Sequence, residues 1–506
     1  MRRPDIACAA TVLGALFLLS GCADTRDLAP SGPDAPWRPA AASGLKMPSG
    51  AAGFAAPYDP EAANAIGNAV GPGAGVGLGG PLDLAALIDM AERHDPHTRI
   101  VWEQAREAAI GVGITGAALL PQLTASALGG YQRQALPLPN YLSRRGYLTS
   151  NAAAVFPKLE LSYLLFDFGQ TADRVRAARQ MAIAADYGFT AAHQALILAV
   201  IRAYYGYDAA DASLRAAGDS VKNTAFLLRA AMALRAHGEG TVTDVAIAQR
   251  NAAQAVYMRD RATAAQHAAK YALLEAMGLP PTTRLAIRVT EDRPLPATVP
   301  GDIQNLIAQT LEDRPDILAD VARLRAAREA VDAAKASLAP RIAIAADVQG
   351  YIGTLKSRGT YEEAPASSIA QPEAGAFLQM TWPLYEGGLR ANTIRLAETR
   401  EAEAHDTLAK TTLAAERDVA TAQDALGTAL SQVHSAQVLR DAAHVAFEAA
   451  SQAYGHGVGT LTDASSASDA FSMAEAQLAT AHAQALTDAA ALAYATGQLT
   501  SAIGGT

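Results

Sequence analysis

Apolar positions along this chain change their period in a fixed order, and the order occurs twice. Leu84, Leu87, Ile88 and Ala91 fall at helical spacing and predict a short helix, which Asp95-Pro96 breaks. A second helix runs to about Ala118, and Pro121 stops it. From Pro121 the period becomes two. Leu123, Ala125, Ala127 and Tyr131 alternate with Gln122, Thr124, Ser126 and Gln132, and Leu159, Leu161, Tyr163 and Leu165 alternate with Lys158, Glu160 and Ser162. These are two amphipathic strands, about 121–134 and 153–166, separated by a polar loop from Leu136 to Asn151.

No proline occurs between Gly169 and Pro280, so 170–278 reads as a helical hairpin. Its first helix, Thr171 to His237, would be roughly 100 Å long at about 1.5 Å per residue. The turn is GEGTVTD, Gly238 to Asp244. The return helix runs to Met277, where Gly278 and Pro280-Pro281 end it.

A proline-rich linker, 280–301, precedes a second pass through the same order. A short helix breaks at Arg314-Pro315, and another runs to Leu338 before Pro340. Strands follow at about 340–353 and 374–385, then a hairpin over 389–498 whose turn, Gly457 to Asp463, reads GVGTLTD. Ile342, Ile344, Ala346 and Val348 share one strand face, and Phe377, Gln379 and Thr381 lie opposite Leu378, Met380 and Trp382. Pro96 and Pro315, Pro121 and Pro340, Gly169 and Gly388, Gly238 and Gly457, and Gly278 and Gly497 are all 219 residues apart. A constant offset through breakers and turns means two copies of one unit, 82–279 and 302–506.

Composition agrees with long packed helices: half the residues are apolar, but only 6% are aromatic, and alanine is abundant. The net charge of −9 argues against a nucleic-acid surface. Arg2 and Arg3 precede an apolar run from Ile6 to Leu19, too short to span a bilayer, so 1–21 reads as a signal peptide. Its ending, Leu19-Ser20-Gly21-Cys22, resembles the bacterial lipobox, which implies that Cys22 becomes the lipidated first residue. Cys8 is then lost, so the mature chain forms no internal disulfide. Residues 22–81, rich in Pro, Gly, Ala and Ser, should be a tether that buries little.

Other motifs lead nowhere. Gly75, Gly77 and Gly80 fit a dinucleotide fingerprint, but no strand precedes them and Pro81 follows. His94 and His97 straddle the Asp95-Pro96 break without a third ligand, so no metal is expected. No nucleophile, base or cofactor cluster suggests an enzyme.

Four amphipathic strands are too few to close a membrane barrel, and open edges are not tolerated in lipid. Two chains would give about eight strands; three would give about twelve, enough to leave a passage. In this setting LLFDFG at Leu164–Gly169, RPDI at Arg314–Ile317, WPLYEGG at Trp382–Gly388 and the two G-x-G-T-x-T-D turns carry a resemblance. Over nearly everything after about residue 82 the chain resembles the TolC-like outer-membrane efflux protein family, lipoprotein type. The resemblance implies a mainly α fold with a membrane β-barrel portion. It further implies a homotrimer whose twelve-stranded outer-membrane barrel continues into a periplasmic α-helical barrel. Implied partners are outer-membrane lipid, a periplasmic adaptor and an inner-membrane transporter of resistance-nodulation-division or ABC type.

At the tips, Thr241-Val242-Thr243-Asp244 and Thr460-Leu461-Thr462-Asp463 have the form of capping boxes, and Gly238, Gly240, Gly457 and Gly459 are expected to supply positive φ. In a closed trimer Asp244 and Asp463 would form acidic rings that favour cations. The resemblance places the position of Asp463 at the periplasmic entrance and that of Tyr454 in the closed-state contacts. The family pattern has an arginine where Gly459 stands and an aspartate where Ser466 stands. The expected function is the exit duct of a tripartite export system for small molecules (drugs, solutes or metals). Type I protein secretion is the alternative within the same class, and a structural or adhesive helical surface lipoprotein is the alternative outside it.

Overall fold

Asp83 and Asp302, 219 residues apart, open the two copies in the same way. The Asp83 carboxylate accepts from the Ala86 amide at 2.9 Å and starts α1, Leu84–His94. The Asp302 carboxylate accepts from the Gln304 amide at 3.0 Å and starts its counterpart α5, Ile303–Asp313. Each satisfies an amide that the first helical turn leaves unpaired. The following helices, α2 (Pro96–Gly116) and α6 (Pro315–Ala336), begin with proline at the first helical position, where its missing N–H costs nothing.

The computed structural model describes Thr25, residues 28–34, Trp37, and residues 82–139, 146–288, 294–296, 299, 302–358 and 367–499. Cys22, the dinucleotide-like glycines, most of the tether and part of the linker lie outside these residues. The hairpins are α3 (Gln170–Ala236) with α4 (Val242–Ala276), and α7 (Leu389–Gly455) with α8 (Leu461–Ala495). Both leading helices have 67 residues and both returning helices 35, so the duplication extends to length.

Contacts divide the chain into two units. The first comprises the described residues within 108–182 and 323–405 and contains β1 (Gln122–Pro137), β2 (Tyr147–Phe166), β3 (Arg341–Arg358) and β4 (Ser367–Thr381). Rather than two separate pairs, these form one antiparallel sheet in the order β1-β2-β3-β4, so the copies are joined strand to strand at β2 and β3. The strands extend further into the loops than alternation indicates. Thr149, Ser150 and Asn151 have little apolar pattern, yet they pair with β1 and β3. β4 stops at Thr381, short of the expected 385, because Pro383 cannot donate to a ladder.

Cross-strand partners lie on the same face, so the register sorts the side chains. Leu123, Leu161, Ala346 and Ala376 form one rung, and Tyr163, Ile344 and Leu378 another. The opposite face carries Thr124, Glu160, Asp347 and Gly375 on one rung and Ser126, Lys158 and Gln349 on another, with Leu128, Phe156, Tyr351 and Phe377 among them. Lys158 and Glu160 pair there at 3.0 Å. A bulge between Leu164 and Phe166 transfers Phe166 to the apolar face, opposite Ile342.

The second unit comprises the described residues within 26–107, 183–322 and 406–499. Its core is built from Leu87 and Ile88 of α1, Ile197 and Val200 of α3, Leu273, Leu274 and Met277 of α4, and Leu486 of α8. α3 alone among the described helices is long and apolar enough to cross a membrane, but most of that window is buried. Arg314 locks the second copy: its guanidinium donates to both Asp316 oxygens at 3.0 and 2.6 Å and to the Ala495 carbonyl at 3.2 Å.

The tether is not wholly unpacked. Trp37 is buried edge-on against Tyr187, ring centroids 4.9 Å apart, with Phe189 and Ala319 in the same cluster. Trp102 donates to the Pro30 carbonyl at 2.9 Å, and His193 Nε2 lies 2.8 Å from the Pro33 carbonyl.

Candidate functional site

The two hairpin turns share one geometry. After α3, the amides of Glu239 and Gly240 both donate to the Leu234 carbonyl, at 2.9 and 3.1 Å; after α7, those of Val458 and Gly459 both donate to the Ala453 carbonyl at 3.0 Å. The first glycine of each turn has positive φ, 82° at Gly238 and 72° at Gly457, as expected. The second does not, which corrects the sequence reading. Gly240 and Gly459 are required by close approach instead. A Cβ at Gly240 would lie 2.8 Å from the Arg235 amide nitrogen, and one at Gly459 would lie 3.0 Å from the Ala453 Cβ and Tyr454 nitrogen. A side chain at Gly459, an arginine included, would have to push the end of the preceding helix aside by a few tenths of an ångström.

Thr241 and Thr460 cap the returning helices. The Thr241 hydroxyl accepts from the Asp244 amide at 3.0 Å while the Asp244 carboxylate accepts from the Thr241 amide at 3.1 Å, a complete capping box. Thr460 accepts from the Asp463 amide at 3.1 Å and donates its own hydroxyl to the Asp463 carboxylate at 2.7 Å. Asp463 is exposed and Asp244 half-buried.

The tips pack on one another. Leu227, Ala231 and Ala248 of the first hairpin form one buried cluster with Tyr454, Leu461 and Ala464 of the second. Tyr454 is only 5% exposed. Burial, and secondarily the negative charge of Asp244, raise its phenol above the ordinary range. Tyr454 and Asp244 are thus brought together across the two hairpins, while Asp463 is committed to its own cap.

Elsewhere, His94 Nδ1 lies 2.8 Å from the Met90 carbonyl of its own helix. Among the described residues no group of three or more His, Cys, Asp or Glu could hold a metal ion.

A family model described as outer membrane efflux protein matches residues 87–279 and again 306–498, two matches offset by the same 219 residues. The chain belongs to the outer membrane efflux protein family. It is therefore an outer-membrane channel protein of the efflux and export class, and not an enzyme. It is 28% identical to outer membrane protein OprJ of Pseudomonas aeruginosa over 382 residues, covering 74% of this chain and 76% of OprJ. It is 25% identical to the pyoverdine export outer membrane protein OpmQ of the same organism, covering 76% of this chain and 78% of OpmQ. The crystal structure of a Pseudomonas aeruginosa membrane protein superposes with a TM-score of 0.65 at 26% identity, over 82% of this chain and 93% of that one. Efflux family membership accounts for the duplicated hairpins and the amphipathic sheet together.

Proposed function

We propose that three copies of this chain close a twelve-stranded barrel in the outer membrane, continued by a helical barrel in the periplasm. It serves as the exit duct of a tripartite export system. The observation that carries this reading is the register of the sheet. It collects apolar side chains on one face and Lys158, Glu160, Asp347 and Gln349 on the other, and its outer strands β1 and β4 pair only on one side among the described residues. A sheet with one lipid-compatible face and two open edges is stable in a membrane only when identical neighbours complete the ring.

A periplasmic adaptor and an inner-membrane pump of resistance-nodulation-division or ABC type supply the cargo. Small molecules are the favoured cargo, because OpmQ is named for pyoverdine export and aligns over most of both chains. Cys22 carries the lipid anchor, and Asp463 and Asp244 form acidic rings at the periplasmic mouth. The test is reconstitution in planar bilayers with parallel cross-linking in detergent. Trimers with cation-preferring conductance are expected; a non-conducting monomer overturns the reading. Restored solute resistance, rather than restored protein secretion, in cells lacking their own duct distinguishes the favoured cargo.

A further inference from the structure

Among the described residues, Phe168 is the one non-glycine residue with positive φ, at 56°. For a bulky side chain the left-handed region costs on the order of 1 kcal/mol or more, so such a residue persists only where something compensates. Nothing about the turn itself demands phenylalanine. The equivalent residue 219 positions on is Gly387, with φ 60°, and a Cβ there would meet nothing within 4 Å. The second copy thus makes the same turn with glycine, and the first keeps an aromatic ring at a backbone cost.

That ring is not buried in a core. Phe168 is 51% exposed, and its ring lies 4.7 Å from that of Phe166, which is 52% exposed. Phe166 has been moved onto the apolar face by the bulge described above and sits opposite Ile342. The pair therefore continues the apolar face of the sheet past the end of β2. In the second copy the same level carries Tyr385, 90% exposed and equivalent to Phe166, and Trp382, whose indole donates to the Leu338 carbonyl at 3.0 Å. Aromatic rings at the ends of spanning strands are characteristic of the boundary between acyl chains and headgroups.

We propose that Phe168 is a membrane-boundary anchor: its strained turn is retained because it extends an aromatic ring from the strand end into the phospholipid leaflet nearest the helices. The proposal rests on the barrel reading above and commits to phospholipid as the occupant. Water in the duct and a neighbouring copy of the chain are the alternatives that the test must separate.

The test uses full-length protein in phosphatidylcholine vesicles brominated either near the glycerol backbone or near the bilayer centre. In Phe168→Trp, the emission gained over wild type is expected to fall by about twofold with shallow bromines and by less with deep ones. Quenching of that gain by aqueous iodide alone, or by neither agent, overturns the anchor. Failure to insert or conduct at all would instead count against the barrel, so the two failures are distinguishable. Should Phe168→Trp not assemble, a nitroxide on Phe168→Cys replaces it: faster relaxation by oxygen than by a nickel chelate is expected, and the reverse overturns the proposal. A parallel variant, Phe168→Gly, should melt a few degrees higher than wild type in detergent and lose part of the stabilisation that vesicles confer. A lower melting point in detergent would mean that the turn is not strained, and would also overturn it.

Discussion

Gly278 lies so close to Asp95 that a Cβ on the glycine would be 2.9 Å from the Asp95 Cα, and Gly497 repeats the approach at 3.2 Å from the Arg314 Cα. In each copy the end of the returning helix thus seats on the junction between the two short helices. Both glycines have positive φ, 68° and 71°. Gly278→Ala should therefore cost roughly 2 kcal/mol, combining the left-handed penalty with a backbone clash. Gly218→Ala, in mid-helix with nothing within 4 Å, should stabilise by roughly 0.5–1 kcal/mol. Thermal unfolding of both variants in detergent checks the contrast.

Arg314 pins the second seat through its side chain, at the position where the first copy has Asp95. It is buried, and it holds Asp316 and the Ala495 carbonyl together. Arg314→Ala should destabilise by about 3 kcal/mol, because it strands the carbonyl and carboxylate that it pairs. Arg314→Lys should recover only part, since an ammonium cannot make the two-pronged contact. Chemical denaturation of the three proteins tests the order.

Glu92 makes stability depend on pH. It is 2% exposed on α1, and burial first, then the charges of Asp89 and Asp34 against the weaker pull of Arg93, push its carboxyl up to about 8. Its ordinary value is 4.5, so between 4.5 and 8 the folded chain holds more protons than the unfolded one. Its contribution is fully present below the lower value and is lost as pH rises towards the upper. Asp186, raised by burial to about 9, acts with the same sign. His193, lowered by burial to about 4 from 6.5, acts oppositely, its contribution being present above 6.5 and lost as pH falls through 4. Melting temperature should therefore decline from pH 6.5 to 8, and Glu92→Gln should flatten that decline. An unchanged slope in the variant would show that Glu92 is not its source.

Substitutions at the tips separate capping from the proposed acidic ring. Thr460→Ala removes a cap and should cost about 1 kcal/mol, as should Thr241→Ala. Asp463→Asn keeps an acceptor for the Thr460 hydroxyl while removing the charge, so stability should change little. Its single-channel conductance, or the cation preference and pH dependence of that conductance, should shift. If all three stay at wild-type values, Asp463 is a cap and nothing more.

Much of this was legible from punctuation. Pro96, Pro121, Gly169, Gly278 and their counterparts locate nearly every helix start and stop, because proline and glycine act on the local backbone whatever surrounds them. The strands were legible in their middles and not at their ends: Ser150 and Asn151 are in the sheet because β1 and β3 flank them, which no local pattern records. Trp37 was missed for a similar reason. It stands between Pro36 and Arg38 with no apolar periodicity around it, and its pocket comes from Tyr187 and Phe189 far along the chain. At the tips, spacing gave the caps and the positive φ of Gly238 and Gly457. The crowding at Gly240 and Gly459 depends on where the preceding helix leaves its last carbonyls.

The matched arm lengths constrain how this chain can vary. Because Tyr454 must meet Leu227 from the opposite arm, deleting one helical turn from α3 alone would displace its tip by about 5.4 Å and pull the two surfaces out of step. Length changes are tolerable only in compensating sets, one in each leg of a hairpin and again in its twin. The duplication thus works as a ruler that each half imposes on the other.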